Sequence, residues 1–470
     1  MSEVKTVRVK SAGIRGLEAE PIVLEVTVER PGLPSLNLVG FTSGNDCETR
    51  SRVRCALRSS GFNVPRAAVT VSASPCDVRR SSSEGLDLAV AAGVLAASGQ
   101  VPCDWLEDTV VYGVLELDGE VLPARGTVAV QDAVSDGDRL LTSDLAEVSD
   151  LGSAVLGVHS LSDLRQLDRV AALKPREAVP TSDLDMSDVP GGWPAKRAMV
   201  IAVAGGHGIS LAGADAEALA MRATTIMPAM SDAERDECAH IASICGDSID
   251  RALAGERPCR RARPYTSAST LLGGGRPVRP GEVTRAHNGV LILDGIQNFF
   301  RTDLNMLAAA LRDETVRLVR ADGGYVFPAR AFVVGVVDSP RIHLDEEDRP
   351  RLSNSDEAVP LRAHAKDACI GSVTPIRVRL GSDVGGCTQS SDLLRSEVEA
   401  ARDFAASRHG KQGGISASAM RVFAECAQMY PDGLSTVCGV ARTIADMEGQ
   451  FEIREEHALE AVMRTTTLLL

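Results

Sequence analysis

Cysteine and histidine are two residue types of this sequence whose side chains could bind a metal or act as nucleophiles. The 11 cysteines run from Cys47 to Cys438 without a C-x-x-C pair, and the 8 histidines are dispersed without the spacing of metal ligands. An odd cysteine count without a secretory signal is typical of reduced thiols in a cytosol. We therefore predict no metal site.

The basic residues are almost all arginine, which limits any chemistry that depends on lysine. The net charge of −14 disfavours nucleic acid as a ligand, because the summed field repels phosphates unless a basic patch is concentrated locally. The arginine-rich run CRRARPY (259–265) is a candidate for such a DNA contact, although a lone basic run is more often a solvated surface. The lysines are Lys5, Lys10, Lys174, Lys196, Lys366 and Lys411.

Two α/β units and a helical segment must position these residues. We predict a first unit over residues 1–165, a linker over the polar segment 166–187, a second unit over 188–389 and helices over 390–470. No stretch approaches 18 uninterrupted apolar residues, and the first residues lack an apolar signal region, so a cytoplasmic protein without a membrane segment is expected.

The predicted elements follow from hydrophobic periodicity. The charged, aperiodic segment 341–366 is predicted to be a solvated loop. In the first unit the strands are TVRVKSAG, PIVLEVTVE and AAVTVSAS, and the helices are CETRSRVRCALRSSG (47–61) and LDLAVAAGVLAASG (86–99). In the second unit the helices are AKRAMVIAVAGG and EALAMRATTIMP, and the strands of a buried parallel sheet are HGISLAG, NGVLILDG (288–295) and RAFVVGVVDS (330–339).

Several segments, in the same order along the chain, resemble a known family. They are GLPSLNLVG (32–40), ETRSRVRCALRSSGFNVP (48–65), GVLELDGEVLPARG (113–126), AVAGGHGISLAG (202–213), RPGEVTRAHNGVLILD (279–294), YVFPARAFVV (325–334) and GVARTIAD (439–446). On these residues the chain is identified as a member of the Mg-chelatase-like AAA+ proteins of the ComM/YifB group. The resemblance implies a Lon-protease-like (S5 domain 2-like) α/β domain, a P-loop AAA+ α/β core and a small α-helical lid.

The resemblance also implies a function. Intact members bind ATP and Mg²⁺, usually assemble as rings, and the better understood ones couple ATP hydrolysis to DNA branch migration during recombination in natural transformation. A Walker A loop holds phosphate with glycine amides, a lysine and a Ser/Thr hydroxyl on Mg²⁺. Whether this chain can do the same depends on the residues at those positions.

The family pattern over ISLAGADAEALAMRA keeps only the first glycine of the loop, Gly213. Leu219 stands at the lysine, Ala220 at the hydroxyl, and two alanines stand where later glycines belong. Asp215 and Glu217 would face a polyphosphate, and a like charge about 4 Å away costs roughly 1 kcal/mol in water and about 4 kcal/mol at an effective dielectric near 20. Strong helix formers here predict that the loop has become additional helix.

The other ATPase positions are also altered. Asp294, at the end of LILDG, keeps the metal-binding carboxylate of Walker B, but Gly295 stands where the water-orienting glutamate belongs. The sensor position is Asp338, which would add negative charge near the γ-phosphate. The two family arginines map loosely to Gly371 or Ser372 and to Asp432, whereas Arg442 is predicted to be structural. We therefore expect no catalytic residues and no bound cofactor.

A Lon-like fold raises the possibility of a Ser–Lys peptidase, with Ser81, Ser82 or Ser83 as nucleophile. No lysine lies between Lys10 and Lys174 to act as its base, so we reject this activity. For His207 and His287, in turns that resemble those of the family, we predict local hydrogen bonding rather than catalysis.

Three hypotheses remain from the sequence. The leading one is a pseudo-ATPase, a structural or regulatory subunit that associates with itself or with an active AAA+ relative in DNA processing. The second is an ATP-binding AAA+ enzyme of DNA branch migration with unusual residues. The third is a DNA-binding module that does not use ATP, which the acidic net charge does not support.

Overall fold

The fold is that of a computed structural model. It describes residues 3–30, 32–41, 45–74, 84–150, 153–176, 183–190, 192–321, 323–337, 368–380, 389–408, 413–429 and 433–466. The predicted loop 341–366, the serines at 81–83, Asp338 and Asp432 lie outside the described residues.

The first unit is built on a seven-stranded mixed sheet of strand order β3-β4-β2-β1-β5-β8-β9. Its two longest strands form an antiparallel hairpin in which Glu3 pairs with Arg30 and Arg15 with Glu18. The alternating apolar residues predicted all three strands named from the sequence, and the structure confirms them. The strands of this unit are β1 Glu3–Arg15, β2 Glu18–Arg30, β3 Ser35–Val39, β4 Ala68–Ser74, β5 Thr109–Val111, β6 Val114–Leu115, β7 Val121–Leu122, β8 Arg139–Ser143 and β9 Val155–Val158.

Helices cover this sheet. They are α1 Asn45–Ser59, α2 Asp87–Ala97 and α3 Thr127–Ala133. All eleven residues of α2 are buried, because the helix is apolar around its whole circumference and lies between the sheet and α1. Both helices predicted in this unit are confirmed.

The segment predicted as a linker contacts both units in its described parts. Leu173 N–H donates to the Val155 carbonyl at 2.7 Å, which extends the first sheet by one bridge. At the other end Met186 is fully buried in the core of the second unit. A short 3-10 turn at Leu167–Arg169 follows another at Leu161–Arg165.

The second unit contains a five-stranded parallel sheet of order β11-β14-β17-β10-β18. Every residue of β10 and β17 is buried, as expected for strands covered on both faces. The three strands predicted here are confirmed over their described residues. The sheet strands are β10 Ile209–Ala212, β11 Cys259–Ala262, β14 Val290–Asp294, β17 Phe332–Val337 and β18 Ile376–Arg379; two small hairpins pair β12 Gly273–Gly274 with β13 Arg279–Pro280 and β15 Thr315–Arg320 with β16 Gly323–Pro328.

Helix α4 confirms the prediction for AKRAMVIAVAGG, whereas the helix predicted over EALAMRATTIMP is shorter than expected. It stops at Met221 and continues as a 3-10 turn at Ala223–Ile226. The helices of the second unit are α4 Trp193–Gly205, α5 Ala216–Met221, α6 Asp232–Cys245, α7 Asp250–Leu253, α8 Ala268–Leu272, α9 Glu282–Arg285 and α10 Arg301–Arg312.

The C-terminal segment is helical, as predicted. Its helices are α11 Ser391–Ser407, α12 Ala417–Met429, α13 Leu434–Met447 and α14 Glu455–Thr466. Buried residues of α11 and α13, such as Val398 and Val440, share one apolar core with α4 and the parallel sheet. The helices therefore pack directly on the second unit. Among the described helices, none is both long and apolar enough to cross a membrane.

Candidate functional site

The turn after β10 is the first part of the candidate site. Gly213 has a backbone φ of +130°, and a Cβ atom there would lie 2.9 Å from the Cβ of Leu380, which follows β18. Both the backbone angle and the close approach require glycine at this position. The glycine that the resemblance assigns to the phosphate-binding loop, Gly213, therefore shapes this turn.

Helix begins immediately after this turn. Ala216 N–H donates to the Gly213 carbonyl at 3.3 Å, and Leu219 N–H donates to the Asp215 carbonyl at 3.0 Å. These amides are used by the chain itself, as the excess of helix formers predicted. At six residues α5 is short, and its N-terminal residues Asp215 and Glu217 are exposed carboxylates.

The two positions that should hold a lysine and a hydroxyl face inward. Leu219 and Ala220 are both 0% exposed and belong to the apolar core that α4 and the parallel sheet share. Neither side chain can reach solvent or a ligand in this arrangement. The apolar substitution is thus part of the packing of the second unit.

Arg261 of β11 bonds to two carboxylates of the site, Glu217 of α5 and Asp294 at the end of β14. Its guanidinium donates to Asp294 Oδ2 at 2.6 Å and 3.1 Å, and to Glu217 Oε1 at 2.5 Å. The Asp294 and Glu217 carboxylates raise the pKa of Arg261, Asp294 having the larger effect. The carboxylate that would hold a metal ion is therefore engaged by an internal cation.

This ion pair changes one expectation from the sequence. The repulsion of a polyphosphate by Glu217 is weakened, because Arg261 neutralises part of its charge. Arg261 also lies between α5 and β14, because it is bonded to one carboxylate of each element. Arg261 was missed because its partners lie 44 and 33 residues away in sequence, and CRRARPY was interpreted as a surface run.

The residue after Asp294 reinforces this arrangement. Gly295 has a φ of +57° and begins the 3-10 turn Ile296–Asn298. A glutamate at this position would have to adopt a left-handed backbone. The chain therefore lacks both the side chain and the usual backbone for a water-orienting carboxylate.

The remaining predicted positions lie elsewhere. Ser372 donates to the Cys369 carbonyl at 2.7 Å and precedes β18, at the sheet edge opposite to Gly213. Arg442 donates to Asp446 at 3.0 Å and to the Phe451 carbonyl at 2.8 Å, which confirms a structural role.

The two histidines make local bonds, as predicted. His207 Nε2 lies 2.9 Å from the Thr443 hydroxyl, and His287 Nε2 lies 3.1 Å from Glu237. Burial lowers the pKa of both rings, which favours their neutral form.

One cluster in the described residues has the donor set of a metal site. Glu448, Glu456 and His457 place one ligand atom each within 4.8 Å of the others. The His457 ring is already engaged, because Nδ1 accepts the Arg454 N–H at 3.1 Å and Nε2 lies 3.1 Å from Glu448. These contacts stabilise the N-terminus of α14.

Both α/β units of this chain are similar to known proteins. A family model described as "Magnesium chelatase, subunit ChlI" matches residues 185–357, and one described as "Subunit ChlI of Mg-chelatase" matches residues 24–139. An uncharacterized protein of Mycobacterium tuberculosis is 32% identical over 433 residues, which cover 86% of this chain and 84% of that protein.

Two named relatives are similar over nearly their full lengths. The uncharacterized protein YifB of Escherichia coli is 28% identical over 95% of this chain and 94% of its own. The competence protein ComM of Haemophilus influenzae is 27% identical over 97% of this chain and 96% of its own. The chain belongs to the Mg-chelatase-like ComM/YifB family. The mixed α/β fold with a parallel sheet and a helical C-terminal part is consistent with the AAA+ fold of this family.

The ComM/YifB resemblance implies Mg²⁺ and ATP at the turn after β10, so the residues there can be tested for fit. They do not fit: the lysine position is buried leucine, the hydroxyl position is buried alanine, and Asp294 is paired with Arg261. We derive no step of ATP hydrolysis through this site.

Proposed function

We propose that this protein is a pseudo-ATPase of the ComM/YifB family, a structural or regulatory subunit that neither binds nor hydrolyses ATP. The observation that carries the proposal is the ion pair of Arg261 with Asp294 and Glu217, beside a fully buried Leu219. Arg261 thus offsets part of the negative charge of the site, and the lysine position belongs to the apolar core.

The energetic reasoning supports the same proposal. A Walker lysine and a Mg²⁺ ion normally offset the charge of the β- and γ-phosphates. Here the lysine position is the buried Leu219, and Asp294, the carboxylate that would hold Mg²⁺, is bonded to Arg261. A nucleotide would have to compete with these ion pairs, which are partly exposed and worth at most about 1 kcal/mol each, without gaining the contacts that a lysine and a bound metal supply.

The test is isothermal titration calorimetry of the full chain with Mg-ATP. We expect no heat of binding up to millimolar nucleotide, and no hydrolysis above background. The variant Arg261→Ala, which frees Asp294, should remain unable to bind because the lysine and hydroxyl are still missing. A family member with an intact Walker A lysine serves as the assay control. Micromolar binding by the unmodified chain would refute the proposal.

The proposal includes a partner. A subunit that keeps the AAA+ shape without its chemistry is expected to associate with itself or with an active AAA+ relative. Light scattering after size-exclusion chromatography should show an oligomer for the chain alone or a joint complex with a co-expressed relative. Monomers in both experiments would contradict this part of the proposal.

A second function is favoured by two observations: Asp294 is retained, and one relative carries the name competence protein. In this alternative the chain binds ATP and acts in DNA branch migration. Two of the arginines in the predicted DNA patch are already paired, Arg260 with Glu282 and Arg261 with Asp294. ATP-dependent movement of a branched DNA by the purified chain would establish the alternative over the pseudo-ATPase.

The proposal extends to the domain division. We infer a Lon-like first unit, with boundaries at 165, 187 and 389, from the resemblance and from the separate sheets. Limited proteolysis should cut first within 166–187 and release a folded N-terminal fragment.

A further inference from the structure

A large cleft lies at the amino edge of the parallel sheet, opposite to the turn at Gly213. Its volume is about 610 Å³, and Gly208 and Gly289, which directly precede β10 and β14, form part of its floor. The C-terminal helices also line the cleft, through Arg402 of α11 and Gly439 of α13. We call this the amino-edge cleft.

The lining of the amino-edge cleft combines apolar and cationic groups. The lining includes apolar residues such as Val203, Leu311 and Phe332, and four arginines against the two acidic residues Glu234 and Glu314. Such an excess of positive charge is unusual in a chain of net charge −14. A volume of this size is in the range of small-molecule sites, about 300 to 1,000 Å³. The four arginines are Arg257, Arg312, Arg330 and Arg402.

Two of these arginines, Arg257 and Arg330, are bonded to other residues of the protein. Arg257 donates to the Asn288 carbonyl at 2.5 Å and forms an ion pair with Glu234 at 3.3 Å. Arg330 donates to the Asn288 side-chain oxygen at 2.6 Å and 2.8 Å. They hold the floor of the cleft in place.

The other two arginines, Arg312 and Arg402, have no carboxylate oxygen within 4.0 Å of the guanidinium among the residues that the structure describes. The bond found for Arg402 is a donation to the Val203 carbonyl at 2.8 Å, and Arg312 of α10 is exposed. Although Arg402 as a whole is solvent-exposed, desolvation of its guanidinium and the positive charge of Arg257 lower its pKa. Like charges held together at a partly desolvated site are stabilised by an anion.

We propose that the amino-edge cleft binds a small organic anion, a phosphate or carboxylate group carried on an apolar body, with Arg402 and Arg312 as the anion-binding residues. The apolar surface receives the body of the ligand, and the guanidinium groups supply charge-assisted hydrogen bonds. Because Arg312 belongs to α10 and Arg402 to α11, the ligand joins the sheet unit to the C-terminal helices.

The test uses three probes with the same ring: phenyl phosphate, benzoate and benzylamine. Saturation-transfer NMR with the full chain should detect the two anions and not the cation, and calorimetry should give their affinities. The stronger anion identifies the group that the cleft prefers. Arg402→Gln and Arg312→Gln should each weaken binding about tenfold, the usual loss for one charge-assisted bond.

The exposed Arg421→Gln of α12 is the matched control and should bind like the unmodified chain. Neither Arg402→Gln nor Arg312→Gln leaves a described carboxylate unpaired, so Arg312→Gln should keep the unmodified melting temperature and Arg402→Gln, which loses the bond to the Val203 carbonyl, should lower it only slightly. If Arg402→Gln unfolds, Arg312→Gln decides alone. Equal binding of benzylamine, undetectable binding of both anions, or equal affinity in the cleft variants and Arg421→Gln would overturn the proposal.

Discussion

Arg261 is a cation of the altered phosphate-binding turn, and its partners are protein carboxylates. It satisfies the carboxylate at the end of β14 and the acid at the start of α5. Because the pair is only partly buried, with Arg261 33% exposed, its contribution to stability is modest. Its importance is positional: it keeps α5 close to the sheet while Leu219 packs beneath.

Restoring the Walker lysine should therefore lower the stability of the fold without restoring Mg-ATP binding. Leu219→Lys places an ammonium where the side chain is 0% exposed, and we expect a loss of roughly 3 kcal/mol or more in the free energy of unfolding. Leu219→Met, which conserves volume, should cost less than about 1.5 kcal/mol. Urea denaturation measures both. Unchanged stability together with new Mg-ATP binding would show that the pocket is open after all.

Helices α1 and α2 of the first unit are joined by an ion pair as well as by apolar packing. Asp87, in the first turn of α2, is 0% exposed, and Arg52 of α1 donates to it at 2.7 Å. The contact fixes α1 against a helix that has no polar face of its own. Asp87 also raises the pKa of Arg52.

Removing the arginine should leave this carboxylate buried without a counter-charge. Arg52→Met should lower the free energy of unfolding by about 2 to 3 kcal/mol, at or below the range for a broken buried pair because Arg52 is partly exposed. Adding Asp87→Asn should recover most of the loss. The exposed Arg54→Met on the same helix is the control and should change stability by less than about 0.5 kcal/mol. A double variant no more stable than Arg52→Met would contradict this account.

Periodicity predicted the long elements well and the short ones poorly. Strand β2 alternates buried and less buried residues along its length, and β17 is an unbroken apolar run, so both were found from sequence. Strand β11, with the sequence CRRA, carries no apolar pattern and exists because β14 lies beside it. Because β11 was not predicted, Arg261 was not placed at the site, and its two partners became visible only in the tertiary structure.

The two α/β units meet through α3 and α6. Val128 of α3 is buried against Cys238 and Ala239 of α6. His240 of α6 lies 3.1 Å from Asp132 of α3 and 2.7 Å from the Leu17 carbonyl in the turn between β1 and β2. With an acceptor at each ring nitrogen, the charged imidazolium is the form that satisfies both contacts.

This contact should make the association of the units depend on pH. Burial opposes the charge on His240, but its bonds to Asp132 and Leu17 and the charge of Asp132 outweigh burial and raise its pKa. A raised pKa stabilises the fold fully below the unfolded value near 6.5, and that stability is lost as pH rises through the folded value. His207 and His287, whose pKa values are lowered, act in the opposite direction and are unchanged in a His240 variant.

The difference between the unmodified chain and His240→Gln isolates this effect. Denaturant unfolding at pH 5.5, 7.0 and 8.5 should show the largest advantage of the unmodified chain at the lowest pH, shrinking toward the highest. An advantage that stays constant or grows with pH would exclude a charged His240 as the cause.

The position of β18 has a consequence for biosynthesis. Strand β10 is paired on one side by β17 and on the other by Ile376–Arg379, which are made more than 160 residues later. In a chain emerging from the ribosome, β10 is therefore exposed as a sheet edge until β18 is made. Until then Ser210 also lacks its hydrogen bond to the Thr374 hydroxyl. Nascent chains arrested before residue 376 should recruit chaperones or aggregate, and those arrested well beyond it should not.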